Sequence, residues 1–338
     1  MQEMKIGVIG AGTWGTALGI VLCKNGHDVT MWSRFQEEID ELLMTRHHKN
    51  LPGAVLPDSM KGTADLENAV RGKDLLVMAV PSIFIRATAH NLKDYVEKGT
   101  VIVSVAKGIE EKTLMTMTDI IEEEIPQAEV AVLSGPSHAE EVSRYIPTTI
   151  VAGAHTEKTA CLVQNVFMNE CFRVYISPDM KGIEIGAALK NVIALAAGMA
   201  DGLGYGDNTK AALITRGIAE ITRLGVKMGC RVETFQGLSG IGDLIVTCAS
   251  VHSRNRKAGV MIGKGMSYEE AMKEVGQVVE GVYAAKAAKA LAEKNEVSMP
   301  IVMEINKILF EGKSAGAAVS DLMLRDKRIE NHGLRFDQ

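Results

Sequence analysis

Residues Lys5–Lys24 read KIGVIGAGTWGTALGIVLCK, and this segment is the most informative about the fold. A short aliphatic run ends in the pattern Gly-x-Gly-x-x-Gly, which opens a segment with helical periodicity. Gly10 permits the tight turn, Gly12 lets a pyrophosphate approach the backbone, and Gly15 allows the helix to pack closely on the strand. The free N–H groups at the start of that helix favour an anion. The stretch therefore predicts a strand, a turn and a helix that bind a dinucleotide, although a plain glycine-rich turn is the simpler alternative.

The same stretch resembles, by composition alone, a membrane or export segment. Ile6–Cys23 holds 18 consecutive uncharged residues, near the lower length limit of a membrane-spanning helix. Five of them are glycines, and each would cost a continuous helix about 1 kcal/mol. No small-residue cleavage site with extended flanks follows. We therefore predict no signal peptide and no stable membrane insertion.

Short aliphatic runs alternate with helical segments through the first half of the chain. After Lys5–Ile9, the predicted strands are Asp28–Trp32, Asp74–Val80, Val101–Val105, Val130–Leu133 and Thr149–Ala152, and the predicted helices between them include Thr16–Asn25, Phe35–Met44 and Leu114–Glu124. Continuous apolar runs separated by helices are typical of a parallel sheet covered on both faces, so the fold class is α/β with a Rossmann-like doubly wound sheet.

The strand pattern stops near Ser177, and Ala, Leu, Met, Glu and Lys at helical spacing dominate afterwards. The predicted helices are Ile183–Ala200, Lys210–Met228, Asp243–Ser250, Ser267–Glu274, Gly281–Lys294 and Pro300–Phe310. We predict two domains, a dinucleotide-binding domain at 1–179 and an all-α substrate-binding, catalytic domain at 180–338. The last residues, Arg335–Gln338, are expected to be loose.

The composition excludes several classes of function. Among 338 residues there are 37 Lys and Arg against 42 Asp and Glu, so the net charge of −5 argues against a nucleic-acid partner. The five cysteines form no CxxC pair, and no metal-binding pattern appears, so we expect no metal and a reducing, cytoplasmic location. Met-rich and Ala-rich helices could supply a homodimer interface, but most such stripes are core.

The end of the second predicted strand bears on the choice of coenzyme. An acidic residue there would favour the ribose hydroxyls of NAD, but the sequence continues with Ser33 and Arg34. Arg34 can neutralise and stack on a 2′-phosphorylated ribose, and Ser33 can donate to it. NADP is therefore favoured over NAD, use of both is compatible with the sequence, and a surface arginine without a role is the alternative.

Two later strand ends carry candidate ligand-binding residues. Lys107 follows a buried strand and precedes Gly108, which would let the loop bend around an anion; the alternative is a solvated lysine. Gly135 is followed by Ser137 and Glu140, which have the spacing of a capping box with Ser137 as N-cap. The same N–H groups could instead face a substrate oxygen, and the sequence leaves both accounts open.

The helical half adds a lysine, an acid and a donor cluster. Lys190 shares its helix face with small residues, so burial would lower its pKa and suit it to general acid/base catalysis, unless its ammonium reaches water. Asp243 could cap a helix, hold Lys190 or bind a substrate hydroxyl. Ser253, Arg254 and Asn255 form a donor cluster suited to phosphate, and Glu280 could accept hydrogen bonds from a cofactor or simply begin a helix.

Six motifs occur in an order and spacing that resemble one enzyme family. They are GAGTWG (10–15), AKGIE (106–110), GPSHAEEV (135–142), ALKNVIALAAGMADGLG (188–204), GLSGIGDLIVTC (237–248) and SRNR (253–256). Together they look like the bacterial NAD(P)-dependent sn-glycerol-3-phosphate dehydrogenases, over residues 4 to about 326. The first motif would fit many enzymes, whereas the last four are specific. The resemblance implies a Rossmann-like domain, a helical domain, and an active site in the cleft between them.

The resemblance also implies residue roles. Lys190 matches the general acid/base of the reduction of dihydroxyacetone phosphate to sn-glycerol 3-phosphate. The residues that match substrate contacts are Lys107, Gly135, Ser137, Lys190, Asp243, Ser253, Arg254 and Asn255. Those that match cofactor contacts are Gly10, Gly12, Thr13, Trp14, Gly15, Arg34, Lys107, Ala139, Arg254, Val278 and Glu280. Val105-Ala106 departs from the family, in which a Thr commonly precedes the matching lysine.

Two other functions are compatible with parts of the sequence. A 3-hydroxyacid or 6-phosphogluconate type dehydrogenase shares the two-domain plan and a helix-borne lysine, but would carry a different glycine-rich substrate loop. A non-catalytic dinucleotide sensor could use the same first half, but would need neither Lys190 on a small-residue face nor the SRNR cluster.

Overall fold

The computed structural model describes residues 3–327 and 329–330, and an eight-stranded sheet forms its first half. The strands are β1 (Lys5–Ile9), β2 (Asp28–Trp32), β3 (Lys61–Thr63), β4 (Leu75–Met78), β5 (Val101–Ser104), β6 (Glu129–Ser134), β7 (Thr148–Ala154) and β8 (Phe172–Ser177). Their order is β3-β2-β1-β4-β5-β6-β7-β8. The doubly wound α/β class predicted from the sequence is confirmed.

One pair of strands departs from the predicted parallel arrangement. β6 and β7 pair antiparallel, whereas the neighbours on either side pair in parallel. The connection 135–147 between them carries a single short helix and stays at the carboxyl end of β6, and a parallel crossover needs a longer path across the sheet. The sequence also missed β3 and β8, the two edge strands.

In the part of the first half that the structure describes, seven α-helices accompany the sheet and cover both its faces. They are α1 (Thr13–Lys24), α2 (Gln36–Thr45), α3 (Leu66–Val70), α4 (Ile85–Leu92), α5 (Met117–Glu124), α6 (Ala139–Val142) and α7 (Glu157–Phe167). Helix α5 begins later than its apolar spacing predicts. Thr116 and Asp119 form a capping box there, and Leu114 before it has a φ of 61°, which a helix does not allow.

The second half is helical and is built around α8 (Met180–Gly202), which is buried from Gly182 to Ala200. The other helices are α9 (Asp207–Lys227), α10 (Val232–Gln236), α11 (Asp243–Ala249), α12 (Arg254–Gly263), α13 (Tyr268–Val275), α14 (Glu280–Lys294), α15 (Pro300–Phe310) and α16 (Ala315–Met323). Within the described residues α8 alone has the length and apolarity to cross a membrane, and all of its apolar window is inside the protein. Its composition therefore reflects a core position.

Glycines let α8 and α12 approach at backbone distance. A Cβ on Gly198 would lie 2.1 Å from the Arg256 carbonyl oxygen, and one on Gly259 would lie 2.3 Å from the Leu195 carbonyl oxygen. No side chain fits between the helices at these points. This contact fixes where α12 begins, and so fixes the donor cluster at its amino end. The predicted loose segment, Arg335–Gln338, lies outside the described residues.

Candidate functional site

The glycine turn after β1 has the geometry of a pyrophosphate cradle. Gly10 has a φ of 124°, and a Cβ on Gly15 would lie 2.0 Å from the Gly10 carbonyl oxygen, so both positions require glycine. A Cβ on Gly12 would meet nothing within 4 Å, which leaves its face open to a ligand. The indole nitrogen of Trp14 is buried and has no hydrogen-bond partner among the described residues. This open face and this unused donor fit a dinucleotide at the start of α1.

The end of β2 differs from the prediction in one respect. Arg34 is exposed, as a ligand-binding arginine would be. The Ser33 hydroxyl, however, donates to the Glu38 carboxylate and accepts a hydrogen bond from the Phe35 N–H at 3.2 Å. The hydroxyl proton of Ser33 is directed to Glu38, so a donation from Ser33 to a 2′-phosphate, as expected from the sequence, would require this hydrogen bond to break.

Three charged side chains from three different elements meet in the interior. Lys190 of α8 donates to Asp243 Oδ1 at 2.8 Å, and Lys107, after β5, donates to Asp243 Oδ2 at 2.7 Å. The side chains of Lys190 and Asp243 are only 6% and 2% exposed. Lys190 also donates to Thr247 Oγ1 at 2.6 Å, and Lys107 to the Gly135 carbonyl at 3.0 Å. The two ammonium groups are thus aimed by hydrogen bonds at a single carboxylate.

This arrangement sets the protonation of the cluster. Burial, followed by repulsion from Lys107, lowers the pKa of Lys190 to about 8, although Asp243 opposes the shift. Burial by itself would raise the pKa of Asp243, but the two lysines outweigh it and hold that pKa below its usual range. Near neutral pH the site holds an ionised carboxylate between two ammonium groups, one of which is poised to lose its proton.

The position of Asp243 excludes the role of helix cap and shows that its carboxylate holds Lys190. The chain is already helical before it, in a π-helical turn Leu238–Gly242, and Gly242 has right-handed helical angles. A side chain at the first position of α11 is therefore not its N-cap. The observed partners of the Asp243 carboxylate are Lys107, Lys190 and the Thr247 hydroxyl. Thr247 was missed from the sequence, although its position one turn after Asp243 would have indicated it.

The capping box predicted for the loop after β6 is wrong. Helix α6 begins at Ala139 with His138 as N-cap, and the Ser137 hydroxyl donates to the Gly135 carbonyl at 2.8 Å. Gly135 has a φ of 146°, which turns the chain so tightly that the helix starts later than the spacing suggests. The His138 Nε2 atom is buried without a partner among the described residues, and its ring lies 5.9 Å from that of His252. The sequence had not singled out His138.

The donor cluster at the amino end of α12 divides into three parts. Ser253 caps the helix by accepting from the Arg256 N–H at 3.2 Å. Arg254 is exposed and reaches Gln277 at 3.4 Å. Asn255 is buried, donates to Asn191 at 2.9 Å, and accepts from the Gly281 N–H at 2.8 Å. Asn255 therefore connects α12 to α8 and α14, and only part of its amide is left for a ligand.

Two contacts of one kind, one buried and one half-buried, join the helical half to the sheet half. Glu280, at the start of α14, accepts from both the backbone N–H and the hydroxyl of Ser82, which follows β4. Glu184 of α8 accepts from both the N–H and the hydroxyl of Thr118 in α5. We call this pair the carboxylate clamps. A Cβ on Gly108 would lie 2.3 Å from the Cβ of Ser82, so the Glu280–Ser82 clamp also packs closely against the loop that carries Lys107.

The remaining predicted residues surround the same region of the molecule. Thr13 and Trp14 are half-buried in the first turn of α1, Ala139 is 8% exposed at the start of α6, and Val278 is half-buried just before α14. Strand β1 lies beside β4, and β4 beside β5, so the glycine turn, Ser82 and Lys107 all follow carboxyl ends of adjacent parallel strands. Ligands bind at this edge in doubly wound sheets.

A dinucleotide cradle and a buried Lys–Asp–Lys cluster at one edge of a doubly wound sheet define a nicotinamide-dependent dehydrogenase. Residues 5–160 match the amino-terminal part, and residues 179–320 the carboxy-terminal part, of the family described as NAD-dependent glycerol-3-phosphate dehydrogenase. The chain belongs to this family. It is an oxidoreductase that uses NAD or NADP to interconvert dihydroxyacetone phosphate and sn-glycerol 3-phosphate, the backbone of glycerophospholipids.

Individual relatives agree with this assignment over almost the whole chain. A glycerol-3-phosphate dehydrogenase (NAD(P)+) from Agathobacter rectalis is 62% identical over 333 residues, which is 98% of this chain and 99% of that protein. One from Fusobacterium nucleatum is 58% identical over 330 residues, 97% of this chain and 98% of that protein. The crystal structure of a glycerol-3-phosphate dehydrogenase from Coxiella burnetii superposes with a TM-score of 0.92 at 34% identity, covering 96% of this chain and 99% of that one.

Proposed function

We propose that Lys190 is the general acid/base of this dehydrogenase. The observation that carries the proposal is the buried Lys190–Asp243–Lys107 cluster, with Lys190 donating to Asp243 at 2.8 Å. A bound dihydronicotinamide supplies the hydride that adds to the ketone carbon. As negative charge develops on the carbonyl oxygen, Lys190 gives up a proton from Nζ, and a secondary alcohol results. In the reverse direction the neutral amine takes the proton back.

Lys107 and Asp243 act on the same proton transfer without exchanging the proton themselves. The Lys107 ammonium adds positive charge beside the developing oxyanion, which favours the transition state over the neutral ketone. Asp243 fixes the direction of both ammonium groups and keeps the pKa of Lys190 from falling further. The buried position of the cluster makes these interactions stronger than they would be in water.

Substrate phosphate is assigned to the edge of the cluster. We propose that Arg254 and Asn255 bind it, with Ser253 holding the α12 terminus and Gly135 and Ser137 lining the opposite side. Arg254 is exposed and offers a planar fork suited to phosphate oxygens. Binding energy from the phosphate then positions a small ketone against Lys190.

The cofactor is assigned to the glycine turn and the residues around it. We propose that Gly10, Gly12 and Gly15 receive the pyrophosphate, with Thr13 and the unused Trp14 donor beside it and Arg34 near the adenosine ribose. Ala139, Val278, Glu280, Lys107 and Arg254 would surround the nicotinamide end. Glu280 already accepts a hydrogen bond from the N–H of Ser82, which follows β4 at the ligand-binding edge of the sheet.

The test is an absorbance assay at the NADPH and NADH band with dihydroxyacetone phosphate as substrate. Turnover with this substrate is expected with either coenzyme. Turnover only with 3-hydroxyacids or with 6-phosphogluconate would favour the two rival dehydrogenases, and coenzyme binding without turnover of any of them would favour the sensor.

We also propose the division of the chain at 179/180, a cytoplasmic location and no membrane insertion. The last β-strand ends at Ser177 and the first helix of the second half begins at Met180. All five cysteines lie in the described part of the chain as free thiols, which suits a reducing compartment. The homodimer considered from the sequence is tested by sedimentation of the purified protein.

A further inference from the structure

The Glu38 carboxylate accepts a hydrogen bond from Ser33, the residue that follows β2, and Ser33 is itself fixed by other hydrogen bonds. Ser33 is 3% exposed, its hydroxyl donates to Glu38, and its oxygen accepts from the Phe35 N–H at 3.2 Å. The Ser33 N–H donates to the Thr63 carbonyl on β3 at 3.3 Å. Backbone and side chain of Ser33 are thus both engaged. Glu38, in the first turn of α2, is anchored next to the strand end.

This place in the fold faces the adenosine end of a dinucleotide. The Gly10 N–H donates to the Trp32 carbonyl at 3.0 Å, so the end of β2 lies directly beside the glycine turn. In doubly wound folds, an acid at this point accepts a hydrogen bond from the ribose 2′-hydroxyl, and an arginine accommodates a 2′-phosphate. Positions 33 and 34 hold no acid, but the turn into α2 brings the Glu38 carboxylate back to the same place.

The charges around this position favour the neutral 2′-hydroxyl of NAD over the 2′-phosphate of NADP. Arg34 contributes one positive charge, and the Glu38 carboxylate, held at the strand end by Ser33, offsets it with one negative charge. A 2′-phosphate would bring close to two further negative charges against this carboxylate. Like charges this close repel each other, and at a protein surface the repulsion is stronger than in water, so it can change coenzyme choice.

We infer that Glu38 determines coenzyme specificity. Anchored by Ser33, it accepts from the 2′-hydroxyl of NAD and disfavours the 2′-phosphate of NADP, and so offsets the attraction of Arg34. The enzyme then accepts both coenzymes with less preference for NADP than Arg34 alone would give. This inference rests on the proposed binding of the dinucleotide at the glycine turn.

Calorimetric titration with two nicotinamide-free fragments, ADP-ribose and 2′-phospho-ADP-ribose, tests the inference by binding alone. Glu38→Gln keeps a carbonyl that can accept from Ser33 and removes the charge. Its preference for the 2′-phosphorylated fragment is expected to rise about tenfold over that of the wild type, the change that about 1.4 kcal/mol produces. Glu37→Gln, an exposed residue one position earlier in the same helical turn, removes the same charge and is the matched control.

The outcomes distinguish a failure of the inference about Glu38 from a failure of the proposed cofactor site. A tenfold change in Glu38→Gln with less than twofold in Glu37→Gln supports the inference. A change below twofold in Glu38→Gln, or an equal change in both variants, overturns it. If the wild type binds neither fragment, the proposed cofactor site is wrong and the inference is overturned with it; turnover with either coenzyme would then show that the reaction stands while the site is elsewhere.

Discussion

Lys190 is the residue whose removal should affect chemistry and little else. Replacing it by Ala removes the proton donor and should lower kcat for ketone reduction by about 10³-fold, because general acid catalysis contributes on this scale. Coenzyme affinity, measured by quenching of protein fluorescence, should stay within about twofold of the wild type. Lys181→Ala, an exposed lysine on the same helix, is the control. Near-normal turnover in the Lys190 variant would remove Lys190 from the mechanism.

The lowered pKa of Lys190 predicts opposite pH profiles for the two directions of the reaction. Ketone reduction needs the protonated amine, so its kcat should fall as the pH rises through about 8. Alcohol oxidation needs the neutral amine and should rise over the same range. Asp243→Asn removes the charge that raises this pKa, so both midpoints should move to lower pH. Midpoints that do not move in stopped-flow measurements of the chemical step would contradict the role given to Asp243.

At the scale of elements, the contact between α8 and α12 should tolerate no side chain. In Gly259→Ala the new Cβ would lie 2.3 Å from the Leu195 carbonyl oxygen and 2.9 Å from the Gly198 Cα, both backbone atoms that cannot rotate away. The helices must separate, at a cost of about 1–3 kcal/mol in the free energy of unfolding. Because α12 begins with the donor cluster, KM for the ketone should rise more than kcat falls.

A second helical glycine provides the control for this prediction. A Cβ on Gly316, in α16, would meet nothing within 4 Å. Gly316→Ala should therefore raise the free energy of unfolding, by up to about 1 kcal/mol, because alanine loses less entropy in a helix. Urea titrations of both variants give the comparison, and equal effects in the two would show that α8 and α12 are not packed at backbone distance.

Helices and strands were predictable from the sequence where a local pattern marks them. They were less predictable where contacts with distant residues determine them. Apolar runs and helical spacing identified β1, β2 and the central helices, because their buried residues form a regular pattern within a short stretch of sequence. Edge strands β3 and β8 were missed, since β3 has only three residues and β8 alternates buried and exposed positions late in the sheet half. The start of α6 was misplaced because the positive φ of Gly135 leaves no trace in the Ser137–Glu140 spacing.

The site itself was predictable only through the resemblance of its motifs. Nothing in the spacing of Lys107, Lys190 and Asp243 indicates that they meet, because three separate elements bring them together. Thr247 lies one turn after Asp243, a spacing that would have indicated it, whereas nothing in the sequence marks the buried Nε2 atom of His138. The Ser33–Glu38 hydrogen bond could not be foreseen either, because it depends on the angle at which the chain turns into α2.

At the scale of the whole molecule, the carboxylate clamp of Glu184 should make stability depend on pH. Burial raises the pKa of Glu184 to about 7 in the folded protein, against 4.5 as the ordinary value. Between these two pH values the folded state keeps a proton that the unfolded state has lost, so the free energy of unfolding falls as the pH rises. Glu184→Gln should remove this loss and gain about 2 kcal/mol relative to the wild type between pH 5 and pH 8.

Denaturant unfolding of both proteins at the two pH values measures this gain. The glutamine can still accept from the Thr118 N–H and donate to its hydroxyl oxygen, so the contact between the two halves is kept. Glu233→Gln, an exposed acid in the first turn of α10, should show no such gain. A parallel pH dependence in the wild type and Glu184→Gln would mean that Glu184 is ionised in the folded protein at both values.

The burial of α8 has a consequence for how the chain is made. The ribosome releases α8 before α9, α11, α12 and α14, the helices that pack around it. Until Gly263 has emerged, a nascent helix apolar enough to enter a bilayer lacks α12, the helix that packs on it at backbone distance. Such exposed surface attracts chaperones and other unfinished chains. The helix that carries Lys190 is therefore also a segment that needs protection during synthesis.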